Sequence, residues 1–567
     1  LRIIAAQRRR ADSIKAPTPG AEMPPSLEIG DVLVWGRDAL FASGALTLGD
    51  LLERVPGLTV FRTGWLGSPE QGAYIADVGR LRIFSDGMEL PALDQRNGGT
   101  IDLSFVQLWP LEEVRVERGA SEVRVHLRSW RVRSTTPATR VDVGTGDAET
   151  NGYRGYFGRR FGSGQALQVG AFQFTTRDTP GVGDADQLSL FGRAGWARGR
   201  FAFDVTYLRT KRERTVQPRL RASGRPDLPN LNATNGDLYV RAAYMDAARG
   251  LWGQLTAGQL KHDHSRQLGT DEASADATTD STAFSARQRQ YVAAAGWLRG
   301  ALSLSATTRL FEGDSARDFV TALRGSWETR RIAIGALAED RPDRAARAFE
   351  VQGRVLPLPS LAIAGAVAKT LADGGSRIPS SLAFRGEAGL RLGRVWLGGG
   401  LLSRDTAHII APVVFDTGFA GRRVGAATGV FAFLRGKVWK DVGVDLMGTK
   451  WDSAGAYTPK YQTRSRLYFD SDMRGRYPSG NLGILFVLQH EYRSPALFLL
   501  RPVGATTPQP LRSSEFRSYG LLLEIRLLQA TLSYQYRNMI NAPYEQVPGF
   551  RNMSAVQYYG VRWNFYN

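Results

Sequence analysis

The stretch "QATLSYQYRN", residues 529–538, places Ala530, Leu532, Tyr534 and Tyr536 on one side and Thr531, Ser533, Gln535 and Arg537 on the other. A period of two is what an extended strand imposes, because successive side chains point to opposite faces. The same alternation fills "RFAFDVTY" (200–207), where Phe201, Phe203, Val205 and Tyr207 oppose Asp204 and Thr206, and it returns in "GDLYVRAAY" (236–244) and "KDVGVDLMG" (440–448). From residue 138 to the end about 22 such segments follow one another, each closed by Gly, Asn, Asp or Pro, and an even number is what a closed antiparallel outer-membrane barrel requires.

The connectors supply an independent check. Brief ones such as "FGSGQ" (161–165), "WARGRF" (196–201), "RLGRVW" (391–396) and "RLLQAT" (526–531) alternate with long polar ones. Examples of the latter are 211–236, 262–282, 403–425, 492–514 and 537–554. Short turns on one rim and long loops on the other mark an outer-membrane barrel. Tryptophans beside turns, in "WGQL", "WLRG", "WETR", "VWLG", "VWK" and "RWNFYN", fit interfacial girdles. A soluble propeller would show a repeat of roughly 40 to 50 residues, which is absent. In the last strand Tyr559, Val561, Trp563 and Phe565 share a face against Tyr558, Gly560, Arg562 and Asn564, similar to the C-terminal assembly signal of outer-membrane proteins but ending on Asn567.

Composition narrows the chemistry. Among 567 residues there is no cysteine, which excludes thiol catalysis, disulfides and cysteine metal sites. The longest apolar runs, "LGILFVL" (482–488) and "GVFAFL" (429–434), fall far short of the ~20 residues of a spanning helix. Of five histidines, "KHDHS" (261–265) holds the one local pair; with no third ligand at zinc spacing, it reads as solvated loop. The formal charge of +19 is spread along the chain, unlike a nucleic-acid motif, and fits a membrane surface, lipopolysaccharide phosphates or an anionic ligand. No Ser/His/Asp spacing, carboxylate pair or phosphate loop points to an enzyme.

The region ahead of the strands has another texture. Residues 1–26, basic and rich in Pro, Gly and Ser, read as a flexible arm. Residues 27–135 read as a small α+β domain, and 136–567 as the barrel. In "LTLGDLLERVPGLTVFRTG" (46–64) Thr47 caps a helix, Asp50 reaches back, and Leu48, Leu51, Leu52 and Val55 form its apolar stripe before Pro56 and Gly57 stop it. "LRIFSDGMEL" (81–90) reads as strand, turn and strand about Asp86 and Gly87, and "LEEVRVERGAS" (111–121) as a strand turning at Gly119.

Taken in order, "LGDLLERVPGLTV", "RIFSDGMEL" and "DLSFVQLWPLEEVRVERGAS" resemble the plug of TonB-dependent outer-membrane receptors, with Leu52, Pro56, Gly57, Asp86, Gly87, Arg118 and Gly119 as the plug motif residues. The exit differs from the family pattern: Ala120 stands where a proline is usual, no glycine-rich run follows, and Glu113 and Arg115 reverse the usual charge order. The resemblance implies an all-β membrane protein of a Gram-negative outer membrane, a 22-stranded antiparallel transmembrane barrel with the plug in its lumen. A barrel of that width needs such a filling.

The resemblance further implies a receptor that imports a scarce ligand, a metal chelate, vitamin or oligosaccharide, by energised plug displacement. It implies a periplasmic TonB-type transducer as partner, outer-membrane lipids and lipopolysaccharide around it, and no cofactor, metal or nucleic acid. "GDVLVWG" resembles the TonB box at Asp31, Val32, Leu33, Val34 and Trp35, a strand able to add to a partner's sheet edge; it reads equally as the plug's first strand. By family position "FRTGWLGSPE" and "PALDQRNGG" are apical loops, making Arg62, Trp65, Asp94 and Arg96 the ligand-contact candidates. The alternative function is a plugged barrel that anchors or scaffolds an envelope complex with other envelope proteins.

Overall fold

A computed structural model of the chain describes residues 23–566 apart from 26, 30–32, 94–99, 134, 178–182, 219–226, 229, 246–249, 267–281, 314–316, 343–345, 373–379, 412–418, 454, 502–506 and 554. Twenty-two antiparallel strands close into one barrel, from Ala138–Gly146 to Val556–Tyr566. Closure is direct: the last strand pairs with the first from Tyr566 opposite Ala138 to Tyr558 opposite Gly146, so no edge is left to pair with another chain. One rim carries tight turns such as 199–200, 300–301, 359–360 and 528–529; the other carries the connections 215–230, 405–426, 494–515 and 538–555.

The period-two pattern sorts lipid from lumen. Phe201, Phe203 and Tyr207 are exposed on the outer wall while Asp204 and Thr206 are buried inside. Tyr559, Val561 and Trp563 are likewise exposed on the closing strand. Trp196, Trp327 and Trp439 lie outward as expected of a girdle. Two of the expected girdle residues do not: Trp252 is buried on the lumen side, and Trp396 packs on the plug core, because each falls one residue out of phase with the lipid-facing Leu251 and Leu397. Several strands, such as Gly250–Arg266 and Thr282–Arg299, run well past the ~9–11 residues that cross a bilayer. They absorb part of what the sequence reads as loop. His262 and His264 therefore sit on a strand, buried and facing inward, and not in a solvated loop.

The plug fills the lumen. Its sheet comprises β1 (Val34–Gly36), β4 (Leu81–Ser85), β5 (Met88–Glu89), β6 (Leu111–Arg118) and β7 (Val123–Ser129), in the order β1-β6-β7-β4-β5. A separate hairpin pairs β2 (Leu58–Arg62) with β3 (Glu70–Tyr74). Two short helices, α1 (Arg37–Ala42) and α2 (Leu48–Leu52), lie between β1 and β2. In α2 the Thr47/Asp50 capping box forms, and Leu48, Leu51, Leu52 and Val55 are fully buried. The chain turns at Gly57, whose φ of +83° suits glycine, and the β4–β5 turn uses Asp86 and Gly87 at φ +48° and +91°. Ala120, in place of the usual proline, is fully buried against wall residues Ala366, Ala368 and Ala383.

On the outer side the long connections fold over the plug. Phe61, Ala73 and Val78 of the plug share one apolar cluster with Leu228, Ile409, Phe419, Tyr457, Phe498 and Phe550 from five different connections. Phe498 is its hub, with Phe61, Phe419 and Tyr457 edge-on at ring-centre distances of 5.6, 5.4 and 5.3 Å.

Candidate ligand chambers around the plug

Charge fixes the plug in place. Asp50 of α2 caps its own helix by accepting from the Leu46 amide at 2.8 Å and also meets Arg537 of the wall at 2.8 Å and Arg62 at 2.8 Å. Glu53, at the helix end, is held by Arg62, by Arg464 and, at 3.0 Å, by Arg493. On the far side the polarity reverses: plug arginines Arg82, Arg118 and Arg124 meet wall carboxylates Glu339, Glu387 and Glu350. Burial works against ionising Asp50, yet Arg537 and Arg62 outweigh it and hold the carboxyl well below its usual range. Asp86 is likewise opposed by burial but brought down to about 2 by Arg241 and Arg193. Much of the chain's positive charge is thus consumed inside the lumen.

His126 on β7 shows the opposite balance. It stacks on Phe84 with ring centres 5.2 Å apart and bonds Glu117 at 3.2 Å, but burial, opposed by that carboxylate, brings its pKa down to about 4. A histidine with a lowered folded value binds its proton more weakly than the unfolded chain does. Its stabilising share is therefore complete above pH ~6.5 and is lost as pH falls from there toward the folded value, by at most about 1.4 kcal/mol per pH unit. Amide exchange of Val123–Ser129 is expected to quicken over that window, and His126→Phe to flatten the dependence; an unchanged profile in the variant assigns the effect elsewhere.

Several spaces remain between plug and wall, and two of them take in the plug loops at 64–68 and 90–93. The first, about 200 Å³, runs beside α1, α2 and the 64–68 turn against the first five and last three barrel strands. At its inner end Phe41 of α1 lies under three guanidiniums, Arg140 at 3.5 Å, Arg562 at 4.7 Å and Arg37 at 5.3 Å from the ring centre. Arg154 and Arg140 share Asp142 there at 3.1 and 2.8 Å. The second space, about 130 Å³, lies between plug residues Leu90–Leu93, Ile101 and Phe105 and wall residues that include Leu208, Asp237 and Leu260.

Of the residues expected at the ligand, Arg62 and Trp65 both line the first chamber. The Arg62 guanidinium is committed to Asp50, Glu53 and Glu70, so it acts through those carboxylates. The Trp65 indole NH donates to Thr150 Oγ1 at 3.1 Å, and Arg537 stands 5.6 Å over its ring. Asp94 and Arg96 lie outside the described residues; the flanking Leu93 and Thr100 line the second chamber. Sequence reasoning did not single out Phe41, Asp237 or Glu28, which become visible only when lumen phase and plug docking are known.

The N-terminal approach is docked too. Val34, Trp35 and Gly36 pair with Arg115, Val114 and Glu113, Leu33 is fully buried, and Asp31 and Val32 lie outside the described residues. The 33–35 part of the TonB-box-like stretch is therefore the plug's edge strand in this state. Upstream, Leu27, Glu28 and Ile29 are buried, and Glu28 meets Arg118 at 2.7 Å and wall residue Arg385 at 3.2 Å.

A 22-stranded barrel closed by an α+β domain that is ion-paired to its wall defines the architecture of a plugged outer-membrane receptor. Residues 28–127 match the family model of the TonB-dependent Receptor Plug Domain. The chain carries a TonB-dependent receptor plug inside a 22-stranded outer-membrane barrel. Its fold is that of the siderophore receptor PirA from Acinetobacter baumannii, at TM-score 0.70 and 11% identity over 94% of this chain and 98% of that one. It is also that of the FrpB iron transporter from Neisseria meningitidis, at 0.70 and 8% over 94% and 99%. The ferric yersiniabactin uptake receptor FyuA from Yersinia pestis matches at 0.65 and 12% over 94% and 97%. Comparison with curated proteins finds no match.

Proposed function

We propose that the chain imports a scarce ligand, a metal chelate, vitamin or oligosaccharide, by energised displacement of part of the plug, with a TonB-type transducer pulling from the periplasm. The observation that carries this reading is the floor of the first chamber. That floor is α1, whose Phe41 sits beside Arg140 and Arg562 near the inner ends of the first and last strands, and α1 directly follows edge strand β1. A pull on residues upstream of β1 removes three ladder residues and a six-residue helix, and leaves the β6–β7–β4 sheet and the β2–β3 hairpin in place. Such low-stability elements are the ones that open locally. Likeness to iron and siderophore receptors supports a metal chelate among the three ligand classes.

The test is growth and uptake by a deletion strain on iron, cobalamin and glycan sources, with and without the transducer, and mass spectrometry of copurified ligand. Uptake of one source is expected to require both the chain and the transducer, and a peptide of residues 27–40 to bind the transducer's periplasmic domain. Uptake indifferent to the transducer, with no peptide binding, favours the scaffold reading.

A further inference from the structure

We propose that the second chamber recognises a protonated amine carried on an apolar body, so that the imported ligand bears such a group; this deepens the import reading and rests on it. Asp237 faces the lumen from the strand Leu231–Tyr244. Its partners across the two neighbouring strands are Leu208 and Leu260, neither of which offers a donor. Among the described residues no lysine, arginine or hydrogen-bond donor reaches its carboxyl. That is out of keeping with the rest of the lumen, where Asp86, Asp204, Glu339, Glu350 and Glu387 all meet guanidiniums.

The other polar groups nearby are occupied. Arg241, four residues along the same face, is engaged with Asp204. Tyr239 donates to Asp86. The two ring nitrogens of His262 bond Asn235 and, at 2.9 Å, His264. A half-buried carboxylate without a partner is poorly compensated, and it is stabilised when a cation arrives with the ligand. Part of the lining around it is apolar, with Leu90, Pro91, Ile101, Phe105, Leu208 and Leu260, which suits a hydrocarbon or aromatic body beside the charged group. An anionic ligand meets repulsion here, whatever the net charge of the chain.

The probes are n-hexylammonium and n-hexanoate, observed by saturation-transfer NMR with the full chain in lipid nanodiscs and empty nanodiscs subtracted. Hexylammonium is expected to bind and hexanoate not. Asp237→Asn, equal in shape, is expected to weaken hexylammonium about tenfold, the loss of a charge-assisted contact. Leu260→Lys, which supplies an ammonium from the protein itself, is expected to block it, with circular dichroism and heat-modifiable mobility showing both variants folded. No binding by hexylammonium, equal binding by hexanoate, or full binding by Asp237→Asn overturns the proposal. Because no transducer takes part, that failure leaves the import reading standing, whereas loss of transducer-dependent uptake would remove the import reading and leave only amine binding by the chamber.

Discussion

A barrel lacking residues 27–131 is expected to conduct steadily and to prefer anions, where the intact chain passes no resolvable current. Barrels of 16 to 18 strands already leave an aqueous channel, and this one has 22. The selectivity follows from which charges the plug leaves behind. Wall arginines Arg241, Arg324, Arg341, Arg385, Arg464, Arg493 and Arg537 lose plug carboxylates. Among the described residues only Glu339, Glu350 and Glu387 lose plug arginines. Single-channel recording in planar bilayers under a KCl gradient checks both parts through step size and the sign of the reversal potential. Cation preference would mean that the lumen charge is screened differently from its ion-pair pattern.

Glu53→Leu is expected to loosen the plug more than any other single change in the latch. The carboxylate is almost fully buried and accepts from Arg62, Arg464 and Arg493 at once. Its removal leaves guanidiniums without their counter-charge in a dry interface, a loss of roughly 3–5 kcal/mol for a broken buried pair. Arg493 keeps Glu491 at 2.6 Å and Arg62 keeps Asp50 and Glu70, so Arg464 bears most of the cost. Amide exchange should accelerate in α2 and β2 while the barrel keeps its heat-modifiable mobility. Adding Arg464→Met should recover part of the loss; a purely additive double variant would show that Glu53 acts through packing alone.

How much of this was legible in the chain differs from place to place. Strand alternation gave lipid and lumen faces at Phe201–Tyr207 and at the closing strand, because a half-lipid, half-aqueous environment writes itself as a period of two. Capping chemistry located α2, and Asp86–Gly87 located the β4–β5 turn, since both are local. Trp252 and Trp396 escaped because nearness to a turn does not fix phase, and a one-residue offset moves a side chain through the wall. The histidine pair escaped because strands here continue beyond the bilayer. Asp50 and Arg62 illustrate a deeper limit: their partners Arg537, Glu53 and Glu70 are set by how the plug docks, and no pattern within either segment encodes that. Asp237 is marked by the absence of a partner, which only the assembled lumen reveals.

The shared apolar cluster around Phe498 also bears on what the cell surface experiences. Five connections and three plug residues bury one another, so raising any one of them strips cover from the rest. The outer mouth therefore behaves as a cooperative unit, and a phage, antibody or ligand that grips one loop addresses all of them, and through Phe61 the domain beneath.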